Sequence, residues 1–175
     1  MAGRGGARRK ATVILALLAL LIPVQAAAAE GLEAAKADKV LVLKSERRLL
    51  LLRQGETLKS YPIALGGQPV GHKRHEGDRR TPEGSYLIDW RNPDSRFHRS
   101  LHISYPDADD RAAAARAGVP PGGDIMIHGL PNGLGAVGVA HRLTDWTDGC
   151  IAVTNEEMDE IWNAVDDGTP IEIRP

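Results

Sequence analysis

Cysteine is almost absent. Cys150 is the only one in 175 residues, so it has no partner within the chain. In an oxidising compartment such a residue is buried and inert, bridged to another chain, or kept as a working thiol. Positive charge is not in excess either: 22 Lys and Arg face 23 Asp and Glu, which argues against a nucleic-acid partner. The longest apolar run, Ala11 to Val24, is broken by Thr12 and Pro23 and falls short of a comfortable membrane span. Aromatics are few, and no repeat or low-complexity tract follows that run.

The run itself has the layout of an export signal. Arg4, Arg8, Arg9 and Lys10 precede it without an acid, and small residues follow it, with cleavage expected after Ala26 or Ala28. An uncleaved anchor is the alternative. We assign 1–28 to a signal peptide, 29–38 to a linker and 39–175 to one catalytic domain, exported to the periplasm or cell envelope, with no membrane contact beyond the signal. Cleavage removes four cations, leaving 18 against 23 acids. An exported, mildly acidic domain makes the lone thiol more telling.

The 19 Gly and 11 Pro favour short strands joined by turns. Val40 to Leu43, Leu49 to Arg53 and Leu58 to Leu65 read as consecutive antiparallel strands, with Pro62 suited to an edge. Gly66 to Pro82 is a mobile polar loop carrying His72, Lys73, Arg74, His75, Glu76, Asp78, Arg79 and Arg80; its cations could hold an acidic ligand or simply be solvated. His72 and His75 lack a third metal ligand. Ser85 to Trp90 and Leu101 to Ser104 are strands, and Asp107 to Ala117 is a helix stopped by Gly118. Thr154 to Glu157 forms a capping box ahead of Met158, Ile161, Trp162 and Val165, an apolar helical stripe in which Trp162 is core. Ile171 to Ile173 is a last strand. The fold class is mainly β, with one or two short helices.

Two apolar runs, Ile125 to Ile127 and Ile151 to Val153, flank an irregular, glycine-rich excursion. His128 closes the first run and Cys150 opens the second. If the runs lie side by side, an imidazole reaches a thiol that is otherwise mostly protonated near neutrality, the arrangement that thiol nucleophilic catalysis needs. A carbonyl at the Gly129 bend could fix the tautomer of His128, and N–H groups from Asp148 to Cys150, around Gly149, could form an oxyanion hole. His141 is a second candidate base. Arg79, Arg80 and Trp146 are candidates for substrate contact. A metal site built from His128, His141, Asp148 and Cys150 has plausible ligand types without a recognisable spacing, and no metal or other cofactor is expected.

Ile127-His128-Gly129 and Thr147-Asp148-Gly149-Cys150, with Gly77-Asp78-Arg79-Arg80-Thr81-Pro82-Glu83-Gly84 upstream, resemble the L,D-transpeptidase family with its YkuD-type catalytic domain, from about Lys39 to Ile173. The resemblance implies a β-sandwich or barrel in which Cys150 is the nucleophile, His128 the base and Gly129 the source of the orienting carbonyl. It further implies a thioester on Cys150, formed with a peptidoglycan stem peptide and passed to an amine in cell-wall cross-linking or remodelling. Asp148 stands where most members have histidine, as in the YafK-like branch. That likeness implies release of a wall-anchored protein, such as a lipoprotein, as a further activity, and water in place of the amine would make the same chemistry a hydrolase that releases D-alanine. A non-catalytic peptidoglycan-binding module is the remaining alternative, and retention of both His128 and Cys150 argues against it.

Overall fold

Alternation sets the first strands. The computed structural model describes residues 1–3 and 36–175, so the expected signal peptide lies outside the described residues. In β1 (Lys39–Leu43) Val40 and Val42 point inward, and β2 (Arg48–Arg53) answers antiparallel with Leu49 and Leu51. Gln54 and Gly55 both take positive φ, 53° and 83°, the twist that a two-residue hairpin needs. β3 (Glu56–Pro62) is largely exposed and lies at one end of the strand order, where Pro62 ends it. The end of the expected linker is bonded into the domain, with the Ala37 N–H donating to Ala164 O at 2.8 Å.

The chain continues through β4 (Gly84–Asn92), β5 (Ser100–Ile103), α1 (Ala108–Ala117), β6 (Met126–His128), β7 (Ile151–Ala152), α2 (Asn155–Ala164) and β8 (Pro170–Arg174). The eight strands are ordered β3-β2-β1-β8-β4-β5-β6-β7. The last-made strand therefore sits in mid-sheet, parallel to β1 and antiparallel to β4. The ends of this order are tied as well. Just after β3, Ala64 exchanges hydrogen bonds of 3.0 and 2.9 Å with Ala152 of β7, and Leu65 and Gly67 bond to Thr147. The result is a mainly β, half-barrel sheet whose core includes Leu49, Leu51, Ile88, Leu101, Ile127, Ile151 and Ile171.

The helices follow their caps. Thr154 and Glu157 form the capping box of α2, which buries Met158, Ile161 and Ala164. Trp162 is only partly buried; it packs on the core beneath the guanidinium groups of Arg91 and Arg99. α1 buries Ala114 and ends on Gly118 at φ 69°. Among the described residues, no helix is long and apolar enough to cross a membrane.

Two expectations are corrected. The excursion between β6 and β7 is not irregular throughout: residues Gly135–Leu143 form a 3-10 helix, kinked at Gly138. The loop after β3 is pinned rather than mobile and solvated. The side chains of Lys73 and Asp78 are both buried and paired at 2.9 Å. Asp78 also accepts from the N–H groups of Arg74, His75 and Arg80. The buried Lys44 ammonium ties Gly71 O, Thr81 O and Glu83 together, and His72 binds Asp110 of α1 at 2.9 Å. Charge in this loop is used for internal bonding, which composition alone does not reveal.

Candidate active site

β6 and β7 run parallel, with Ile127 opposite Ile151 and His128 opposite Ala152. Extending this register back one step places Cys150 beside Met126, two residues before His128, and in a strand such a spacing keeps both side chains on one face. Both line a single cleft of about 490 Å3. Thiol and imidazole are thus offset along the strands rather than directly opposed.

Local geometry prepares His128. The side chain is buried, flanked by Phe97 at 4.7 Å and Trp146 at 5.8 Å between ring centroids. Its Nδ1 lies 2.7 Å from Gly129 O, so this nitrogen carries the proton and Nε2 keeps a lone pair. Gly129 is itself fixed: its N–H donates to Phe97 O at 3.1 Å, and a Cβ there would lie 2.7 Å from Asn155 Oδ1. Burial lowers the His128 pKa, and the Gly129 hydrogen bond opposes that only in part. The resting imidazole is neutral at neutral pH.

Cys150 is held in its thiol form. Burial pushes its pKa up to about 11; the charges of Asp148 and Asp124 add to this, while the Met126 N–H and Lys73 oppose it. Sγ receives the Met126 N–H at 3.4 Å and donates to Asp124 O at 3.6 Å. Among the described residues it makes no hydrogen bond to His128. Thiol–imidazole contacts commonly tighten only when substrate fills a site.

The turn into Cys150 needs glycine. Gly149 has φ 137°, and a Cβ there would meet Arg80 O at 2.7 Å. Its N–H donates to Thr147 Oγ1 at 3.1 Å, which removes it from the expected oxyanion donors. The Thr147 hydroxyl in turn donates to Cys150 O at 2.8 Å. The N–H groups of Asp148 and Cys150 have no partner among the described residues.

The other sequence candidates divide. Trp146 and Asp148 line the cleft. Arg79 lies at its border, with Nε 3.5 Å from Asp148 Oδ1 and its guanidinium over Gly67, where a Cβ would come within 2.4 Å of it. Arg80 turns away: its side chain reaches His72 O, and only its carbonyl backs the site. His141 does not line the cleft. Its Nδ1 accepts from Trp146 Nε1 at 3.4 Å, and burial with the charge of Arg142 lowers its pKa to about 4. Sequence reading missed Phe97 and Arg96, which enter the cleft from the segment after β4. Their only signal was the preceding Asn92-Pro93 turn. No group of three or more His, Cys, Asp or Glu is placed to hold a metal ion among the described residues.

The half-barrel sheet and its His-Gly and Thr-Asp-Gly-Cys corners define an L,D-transpeptidase catalytic domain. The model of that family, YkuD, matches residues 37–173, and the chain belongs to it. It is similar to YafK of Escherichia coli, whose own assignment as an L,D-transpeptidase is provisional, with 35% identity over 133 residues, 72% of this chain and 46% of YafK. The chain thus spans about half the length of the curated relatives it matches. Solved structures similar to it include the helical cell shape determining protein Pgp2 of Campylobacter jejuni, at 25% identity and TM-score 0.59 over 78% of this chain and 46% of that one. Bd1075 of Bdellovibrio bacteriovorus is 25% identical with TM-score 0.53, over 77% and 46% of the two chains.

Proposed function

We propose that this domain transfers acyl groups of peptidoglycan stem peptides through a thioester on Cys150, in the cell envelope. The observation that carries the reading is the shared cleft, in which a protonated thiol and a neutral imidazole of fixed tautomer stand on adjacent parallel strands. His128 Nε2 takes the Cys150 proton as sulfur attacks the carbonyl after the third stem residue. The carbon–nitrogen bond to D-alanine then breaks, and the leaving amine takes the proton from the imidazolium. An incoming amine attacks the thioester and gives a proton to Nε2; the carbon–sulfur bond breaks, and the imidazolium returns that proton to the departing sulfur to re-form the thiol. The N–H groups of Asp148 and Cys150 are the candidate donors to the oxyanion.

Raising the thiol pKa keeps the resting nucleophile inactive toward stray electrophiles, and deprotonation is coupled to substrate arrival. Arg79 and Arg96 at the cleft supply positive charge for the carboxylates of a stem peptide. Release of a wall-anchored lipoprotein has no support from the residues described and is not part of this reading.

The test is incubation of the protein with a defined tetrapeptide stem, with and without an amine-bearing acceptor stem, followed by mass analysis. Loss of D-alanine and gain of a cross-linked product, both abolished in Cys150→Ala, are expected. A parent protein that leaves both stems intact would overturn the reading.

A further inference from the structure

β4 contains a bulge. Ile88 pairs with Ile103 and Trp90 with His102, so Asp89 is the extra residue. Strict alternation from the buried Ile88 would turn Trp90 into the core; with the bulge it is 41% exposed. The His102 ring lies against the indole, with centroids 4.9 Å apart and planes 18° from parallel. Asp89 Oδ1 holds His102 Nδ1 at 2.6 Å, fixing that ring. The imidazole thus covers one indole face, and the 41% exposure of Trp90 is left to the rest of the ring.

Isolated surface aromatics are ordinary. Trp90 differs because register links it to the thiol. It stands opposite His102, His102 stands opposite Met126, and the Met126 N–H meets Cys150 Sγ. A row of side chains therefore crosses one face of the sheet from indole to nucleophile. Three interstrand steps put the two ends about 14 Å apart.

The geometry points to a saccharide subsite at Trp90, where the open indole face stacks on one pyranose ring of a glycan strand. The C–H bonds of a pyranose carry slight positive charge and suit the negative face of an aromatic ring. The exposed Asp89 carboxylate is an acceptor for its hydroxyls. This rests on the reading of the acyl donor as a stem peptide carried by a glycan. Three extended residues reach about 10 Å from the thioester carbonyl, and the linker that joins the stem to its sugar supplies the rest of the span.

The experiment compares a disaccharide-tetrapeptide with the free tetrapeptide as acyl donor, in the parent, Trp90→Ala and Trp90→Phe. The parent is expected to show a KM about tenfold lower for the disaccharide form at equal kcat. Trp90→Ala removes that preference and Trp90→Phe retains most of it. Equal KM values for the two donors in the parent, or a preference that survives in Trp90→Ala, would overturn the subsite. A chitin tetrasaccharide titration followed by the Trp90 indole N–H resonance separates this from failure of the acyl-transfer reading. A saturable shift supports the subsite even without turnover, and an unmoved resonance overturns it.

Discussion

At Cys150 burial is the largest effect, and the charges of Asp148 and Asp124 act with it, against the Met126 N–H and the charge of Lys73. Alkylation of the resting thiol by iodoacetamide should therefore climb with pH toward an apparent pKa of about 11 and vanish in Cys150→Ala. An ordinary thiol titration would contradict the described burial. His128 sets the opposite limb: because its pKa is lowered, the neutral base persists below the usual imidazole value. The acid limb of kcat/KM should accordingly fall below pH 6.5, the ordinary value, and a limb above it would remove His128 from the base role. Asp148 is a separate matter. Along the chain its nearest cations are His141 and Arg142, but Arg142 binds Glu157 and Asp148 faces solvent beside Arg79. In Asp148→Asn the thiol pKa should fall by less than burial raised it, read from the same alkylation profile. A return to the ordinary thiol value would make this carboxylate the dominant influence.

Among the elements, the Thr147–Cys150 turn and the loop after β3 are both sensitive to single changes. Gly149→Ala meets both a left-handed backbone and Arg80 O at 2.7 Å, and is expected to cost about 2 kcal/mol in urea unfolding while displacing the thiol. Asp78 tests the loop. Burial pushes its carboxyl up, but the Arg74 N–H, the Lys73 ammonium and the N–H groups of Arg80 and His75 outweigh that and hold it at about 2. A folded value below the unfolded 3.8 stabilises the protein above pH 3.8, and that contribution is lost as pH falls through about 2. Asp78→Asn should cost about 3 kcal/mol at pH 7, because Lys73 stays buried without its partner. The gap should close near pH 2, as chemical denaturation at the two pH values would reveal. Sequence displayed the strands and α2 because alternation and capping are local rules. It did not display this loop, since a buried Lys73–Asp78 pair has the same composition as a solvated one.

For the molecule as a whole, the legible part was the mainly β class and the meeting of the His128 and Cys150 runs. What stayed hidden was non-local: β8 entering between β1 and β4, the segment after β3 reaching β7, and Phe97 and Arg96 arriving at the cleft. No neighbouring residue encodes such pairings. The position of β8 also fixes an order of events for a chain made from its N-terminus. β1 to β3 can pair as one meander and β4 to β6 as another, yet neither β1 nor β4 gains its second neighbour until Pro170–Arg174 has been synthesised. Until then the two meanders lack the strand between them, although the Ala64–Ala152 bonds can already join β7 to the segment after β3. Completion of the sheet waits for β8, whereas the residues that line the cleft, Asn92 to Cys150, all precede it in the chain.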